Sequence, residues 1–190
     1  MAQNNKKSVD DLIIMGVDPG TVVTGFGIIR VREKKTELLM MDRLLLNKYD
    51  SHALRLKKIF ERSIALIEQF LPDEIALEAP FYGKNVQSML KLGRAQGVVM
   101  AAALSRDIPV VEYSPKKVKM AITGNGNASK EQVAGMIKQL MHIGSLPDFF
   151  DATDALAVAI CHQLNRSRPG IAGKYSDWKA FIKKNPGRVE

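Results

Sequence analysis

Residues 12–20 read Leu-Ile-Ile-Met-Gly-Val-Asp-Pro-Gly, and this stretch decides the fold. An unbroken apolar run predicts a strand buried on both faces, the habit of a central strand in an α/β sheet. Asp18 ends the run, and Pro19-Gly20 supplies turn chemistry. A carboxylate at the mouth of a central strand lies where open α/β sheets place their sites. The competing reading is an Asp that only caps the turn.

The flanks extend the pattern. Residues 24–32 and 36–46 are strand candidates separated by the charged Glu33-Lys34-Lys35, which predicts an antiparallel meander of three strands. From residue 51 to 71, Leu56, Ile59, Phe60, Ile67 and Phe70 recur at helical spacing until Pro72. Residues 75–77 form a short strand ending at Glu78, and a loop over 79–85 leads to a helix over 86–104. Residues 109–113 are a fifth strand. Ser114-Pro115 is an N-cap followed by proline at the first helical position. A Gly-rich loop spans 123–127, and Ser129 with Gln132 makes a capping box. Pro147-Asp148 opens a last helix to about residue 163, with Asp148 read as its N-cap, the alternative being a further acid at the site three residues before Asp151. Strands first, then strands alternating with helices, predict one α/β domain with a five-stranded mixed sheet flanked by helices.

The chain has 190 residues, 46% hydrophobic and 25% charged, the profile of a globular protein that needs no disulfide or structural metal. The expected division is a disordered extension over 1–11, a domain over 12–165 and a basic tail over 166–190. No apolar stretch approaches the ~20 residues of a membrane span. The first residues lack the apolar core of a signal peptide, so a cytoplasmic location is expected. Cys161 is the single cysteine, which excludes an internal disulfide, and its apolar surroundings predict a buried small hydrophobe. Twenty-eight bases against twenty acids give +8, and residues 166–190 carry seven bases and two acids. That balance favours a polyanionic partner, nucleic acid before an anionic membrane surface.

Three further acids stand where acids are structurally odd. Glu78 ends a short apolar strand, and Glu is a poor strand residue. Asp151 and Asp154 are spaced i, i+3, which puts both carboxylates on one helix face about 5–6 Å apart at Cβ. Helix-dipole capping is the bland account of that pair. Together with Asp18 they are four hard oxygen ligands that one sheet edge and one helix can bring to a point, suited to Mg²⁺ or Mn²⁺. Two such ions about 4 Å apart hold the attacking water and leaving oxygen of a phosphodiester in line. The rest of the chain holds 28 bases against 16 acids, so the pocket would be negative on a positive surface. Phe81, Tyr82, Lys84 and Asn85 offer aromatic faces, a base and an amide to unpaired bases and phosphate. Lys116, Lys117 and Lys119, then Asn125, Asn127 and Lys130, form a second basic patch ahead of a capped helix, whose N–H groups favour a phosphate.

Five segments in order resemble the RuvC family of Holliday-junction resolvases: residues 16–25, Glu78 with Phe81, residues 92–97, residues 112–119, and residues 151–157. The match is colinear from about residue 13 to 161. The resemblance implies an RNase H-like fold and a homodimeric crossover junction endodeoxyribonuclease that nicks opposing strands of a four-way DNA junction symmetrically in recombination and repair. It implies Asp18, Glu78, Asp151 and Asp154 as catalytic, metal-holding acids, with two Mg²⁺ per site and Mn²⁺ as a substitute. Phe81 matches an aromatic at the opened junction centre, and Lys119 and Lys130 match basic positions near the cut. A branch-migration motor is the implied partner. The Gly- and Ala-rich helix from Met89 is expected in or near the dimer interface. Two features depart from the family pattern, the extension before the first strand and the tail with Tyr175, Trp178 and Phe181.

Three other readings compete. Asp18 to Gly25 also resembles the phosphate loop of sugar kinases and actin-like ATPases, which need two such domains. An RNase H-fold nuclease acting on RNA or other branched DNA is the second. A module that binds branched DNA without cutting is the third.

Overall fold

The computed structural model describes residues 11–33, 35–80, 85–144 and 150–166. Three antiparallel strands come first: β1 (Leu12–Asp18), β2 (Val23–Arg32) and β3 (Lys35–Leu45). Helix α1 (His52–Phe70) and strand β4 (Glu74–Glu78) follow, then α2 (Val86–Leu104), β5 (Val110–Tyr113), α3 (Pro115–Thr123), α4 (Lys130–Leu140) and α5 (Phe150–Arg166). The sheet order is β3-β2-β1-β4-β5, with β4 parallel to β1 and β5 parallel to β4. The meander and the mixed five-stranded sheet are as expected.

Alternation along the central strands sorts side chains into two cores. Met15, Val17, Ile75 and Leu77 face α1 and α2, meeting Ile59, Leu66, Val99 and Ala102. Ile14 and Ala76 face α3, α4 and α5, meeting Val118, Ile137, Leu156 and Ala159. Both faces of β1 are covered, which is why its sequence is apolar throughout.

The helix ends follow their sequence signals. Ser51, Asn85, Ser114 and Ser129 cap α1 to α4 with side-chain oxygens, each satisfying a backbone N–H left over in a first turn. Ser129 and Gln132 complete the capping box. Gly124 ends α3 at φ 73, in the left-handed region.

Three details differ from the sequence reading. Phe60 is 40% exposed; the inward stripe of α1 runs through Ile59, Ser63, Leu66 and Ile67, one position round the helix. Asp11 belongs to the folded body rather than the extension: its buried carboxylate takes both Nε and Nη2 of Arg32 at 2.6 and 2.8 Å. Arg166, assigned to the tail, is the last residue of α5 and bonds Glu74 at 3.0 Å. Pro147, Asp148, the aromatic residues of the tail and the rest of the extension lie outside the described residues. No helix among the described residues is long and apolar enough to cross a membrane. Cys161 is buried, as expected.

Candidate active site

Two parallel strands and one helix build the site. β1 and β4 pair in register through Val17 and Leu77, so Asp18 and Glu78 emerge side by side at their C-terminal ends. The turn after Asp18 is pinned by buried Thr24, whose Oγ1 donates to Gly20 O at 2.9 Å. Helix α5 brings the other acids by lying almost on the backbone of β1 and β2. A Cβ on Gly16 would run into Ala155 O and stand 2.6 Å from Ala159 N. A Cβ on Gly25, the residue opposite Asp18, would run into Asp151 O. Only bare backbone at these two positions admits the helix this closely.

Asp18, Glu78 and Asp154 line one pocket of about 100 Å³, with Lys119 and Lys130 in its wall. Lys130 Nζ holds Asp154 Oδ2 at 2.5 Å. Asp151 lies in the first turn of α5, outside that lining, and acts on the pocket through its charge. A second cavity of about 120 Å³ opens beside Asp18 and Glu78, walled by Pro19, Pro80, Leu92 and Gln96.

Electrostatics mark the acids as unlike surface carboxylates. Burial first, then the charge of Asp154, pushes Asp18 up to about 7; Asp151 adds to the rise and Lys130 opposes it. Burial, then Asp18 and Asp154, pushes Glu78 up to about 8. Asp154 is also raised, by burial, against the pull of its bond to Lys130. Burial works against the Lys130 charge, but the bond and attraction of Asp154 outweigh it and raise its pKa. Crowded carboxylates that resist ionising together are the mark of a functional site.

The donors fit a hard divalent cation. All are carboxylate oxygens, and a divalent charge would offset both the burial and the mutual repulsion that raise Asp18 and Glu78. The acids share a pocket wall; among the described residues no three are drawn into a closed ligating cluster.

The basic residues divide. Lys119 and Lys130 join the pocket, whereas Lys116 is exposed and its chain runs beside Gly126. Lys117 sits over the Tyr113 ring, 4.8 Å from its centre. Asn85 caps α2 by accepting from Ser88 N at 3.1 Å, a local role. Phe81, Tyr82 and Lys84 lie outside the described residues.

Two features escape a reading of spacing. Gln96 is 7% exposed, and its Nε2 has no hydrogen-bond partner among the described residues. Its place on an apolar helix face was the available signal. His162 joins Tyr113 Oη at 2.8 Å and Glu74 Oε2 at 2.5 Å, tying the far end of α5 to β4 and β5. Nothing local in the sequence predicts a pairing across 88 residues.

Comparison with known proteins places this architecture. The family profile described as crossover junction endodeoxyribonuclease RuvC matches residues 14–162. The chain is 57% identical to the crossover junction endodeoxyribonuclease RuvC of Christiangramia forsetii, over the whole of both chains. It is 57% identical to that of Bacteroides fragilis, over 96% of this chain and 98% of the relative. Among solved structures, Thermus thermophilus RuvC in complex with a Holliday junction substrate is 30% identical with TM-score 0.75, covering 80% of this chain and 93% of that one.

Proposed function

The chain belongs to the RuvC family of crossover junction endodeoxyribonucleases, and from that premise we propose which residues do the cutting and how. The protein is a Holliday-junction resolvase with an RNase H-like fold. It hydrolyses phosphodiesters in opposing strands of a four-way DNA junction, and the observation that carries the site assignment is the convergence of Asp18, Glu78 and Asp154 on one lysine-walled pocket. We assign catalysis to these three acids with Asp151 as the fourth.

Two Mg²⁺ ions, or Mn²⁺ in their place, held by Asp18, Glu78, Asp151 and Asp154, would supply Lewis acidity and an ionised water at neutral pH. The protein's own groups do the rest. Asp18 and Glu78 lose their protons to become ligands, so catalysis needs them ionised. Lys119 and Lys130 stand in the same wall and offset phosphate charge as it builds up in the transition state. The glycine-backed seat of α5 fixes Asp154 relative to Asp18, which keeps the constellation rigid. Lys116, Phe81, Tyr82, Lys84 and Asn85 are assigned further DNA contacts.

We assign the partner as a second copy of this chain. Gly93, Gly97 and Ala101 are exposed along α2, nothing stands within 4 Å of a Cβ added to either glycine, and Leu90 and Leu104 flank them at 57% and 58% exposure. Two copies place two pockets on two strands, as paired nicks require. The inward positions of the same helix, Ala95, Ala102 and Ala103, are core. Action in the cytoplasm beside a branch-migration motor completes the assignment.

Synthetic substrates test it. Wild-type protein with Mg²⁺ should nick a mobile four-way junction in opposing strands at symmetric positions, and leave linear duplex and RNA–DNA hybrid of the same sequence intact. Cutting of the hybrid instead would assign a ribonuclease, and tight junction binding with no cutting in Mg²⁺ or Mn²⁺ would leave a binding module.

A further inference from the structure

The strand that reaches the pocket needs a path out of it, and one is built beside Leu92. That residue walls the cavity next to Asp18 and Glu78, and on its other side it walls a larger cavity of about 410 Å³. The larger cavity lies between the turn after β1, the first turn of α1 and the first turns of α2, at Thr21, His52, Arg55, Ser88 and Lys91. It is basic. Arg55 is locked in place by donating to Tyr49 O and Thr21 O at 2.8 and 3.1 Å. Buried His52 Nε2 has no partner among the described residues. Besides burial, Arg94, Lys91 and Arg55 all bear on the His52 ring and disfavour its charged form. Asp50 is the one acid among the described lining residues. Arg55, Lys91 and the His52 ring lining one cavity, against a single acid among the described lining residues, suit it to a phosphate group.

We propose that this cavity binds a backbone phosphate of the DNA strand being cut, on the far side of Leu92 from the scissile bond, and so sets where along the strand the bond falls. The proposal rests on the nuclease reading. Each phosphate contact contributes about 0.9 to the slope of log affinity against log salt. Junction affinity is measured by fluorescence anisotropy in EDTA, so that binding is read apart from cutting, for wild type, Lys91→Ala and His52→Ala. Lys91→Ala should bind about threefold to tenfold more weakly at 0.1 M salt and lower the slope by about 1. His52→Ala should weaken binding in the same direction. With Mg²⁺, the nicks made by Lys91→Ala should spread over neighbouring positions. Inorganic phosphate forms the second arm, followed by NMR of the His52 ring. Shifts in wild type that vanish in Lys91→Ala, together with the altered slope, establish the phosphate site on the DNA path. Those shifts with an unchanged slope would make it a site for a free anion and overturn the proposal. Unchanged affinity and slope in both variants would overturn it too. A chain that never cuts but shows the altered slope would sink the nuclease reading and leave the phosphate site standing.

A second inference stands on the stranded amide. A buried N–H without an acceptor is costly; Gln96 Nε2 has none among the described residues, and Gln96 walls the same cavity as Asp18 and Glu78. The geometry points to Gln96 donating to a phosphate oxygen of the strand held for cutting. Gln96→Met keeps the shape and removes the donor. It should leave the melting temperature of the DNA-free protein unchanged or higher, hold junction affinity within about twofold, and slow single-turnover cleavage roughly tenfold or more. Unchanged cleavage would overturn this, and so would a slower reaction accompanied by a lower melting temperature, since that is what a purely structural side chain produces.

Discussion

Asp18 and Glu78 are held above the usual carboxylate range, at about 7 and about 8, chiefly by burial and then by neighbouring acids. Raised values mean that the folded state keeps protons the unfolded chain has already released. The stability these groups contribute is therefore complete below pH about 4 and is lost as pH rises through about 7 to 8. Without divalent cations the melting temperature should fall between about pH 4 and pH 8, and Asp18→Asn should flatten that fall and melt higher than wild type at pH 8.5, by a few °C. A scan in EDTA across this range checks it; an Asp18→Asn protein that melts lower than wild type at pH 8.5 would contradict the crowding. At this scale the sequence was most legible. Asp18 and Glu78 stand out because each stops an apolar strand, and Asp154 because it is followed by an apolar run. His52 was silent, since its meaning lies in what it fails to touch, and Gln96 showed only as a polar residue on an apolar helix face.

The meander, the helix caps and the capping box were readable from strings of a few residues, because each is a local interaction. The placement of α5 was not. Gly16 and Gly25 read as ordinary strand glycines until the helix backbone is found against them. Gly25→Ala is the direct probe. Its Cβ meets the Asp151 carbonyl, so the helix must shift where the proposed catalytic acids begin, at a cost of about 1–3 kcal/mol. The melting temperature should drop by about 5 °C and cleavage should fall at least tenfold, with junction affinity within about threefold of wild type. Wild-type cleavage by Gly25→Ala would contradict the role given to close helix approach. The far end of α5 should tolerate this change, because His162, Glu74 and Arg166 hold it to β4 independently.

On the scale of the whole molecule, the surplus of bases suits DNA, and the small-residue face of α2 carries the proposed pairing with a second copy of the chain. The charge was legible from composition alone. The face was legible only in part: the glycine- and alanine-rich pattern marks the helix, but which of those residues point inward depends on its rotation over the sheet. Leu90 stands exposed on the outer side, so Leu90→Glu should shift the protein from dimer to monomer at micromolar concentration, read by light scattering on a sizing column. The monomer should nick one junction strand and release linear resolution products poorly. A Leu90→Glu protein that remains a dimer with paired nicking would place the interface elsewhere.

The assignment of Asp18 and Glu78 is tested by single-turnover cleavage of a bound four-way junction in Mg²⁺ by wild type, Asp18→Asn and Glu78→Gln, with affinity measured on the same samples. Each substitution should slow cleavage at least about a hundredfold while affinity stays within a fewfold of wild type. Paired symmetric nicks at near wild-type rate from Asp18→Asn would contradict it.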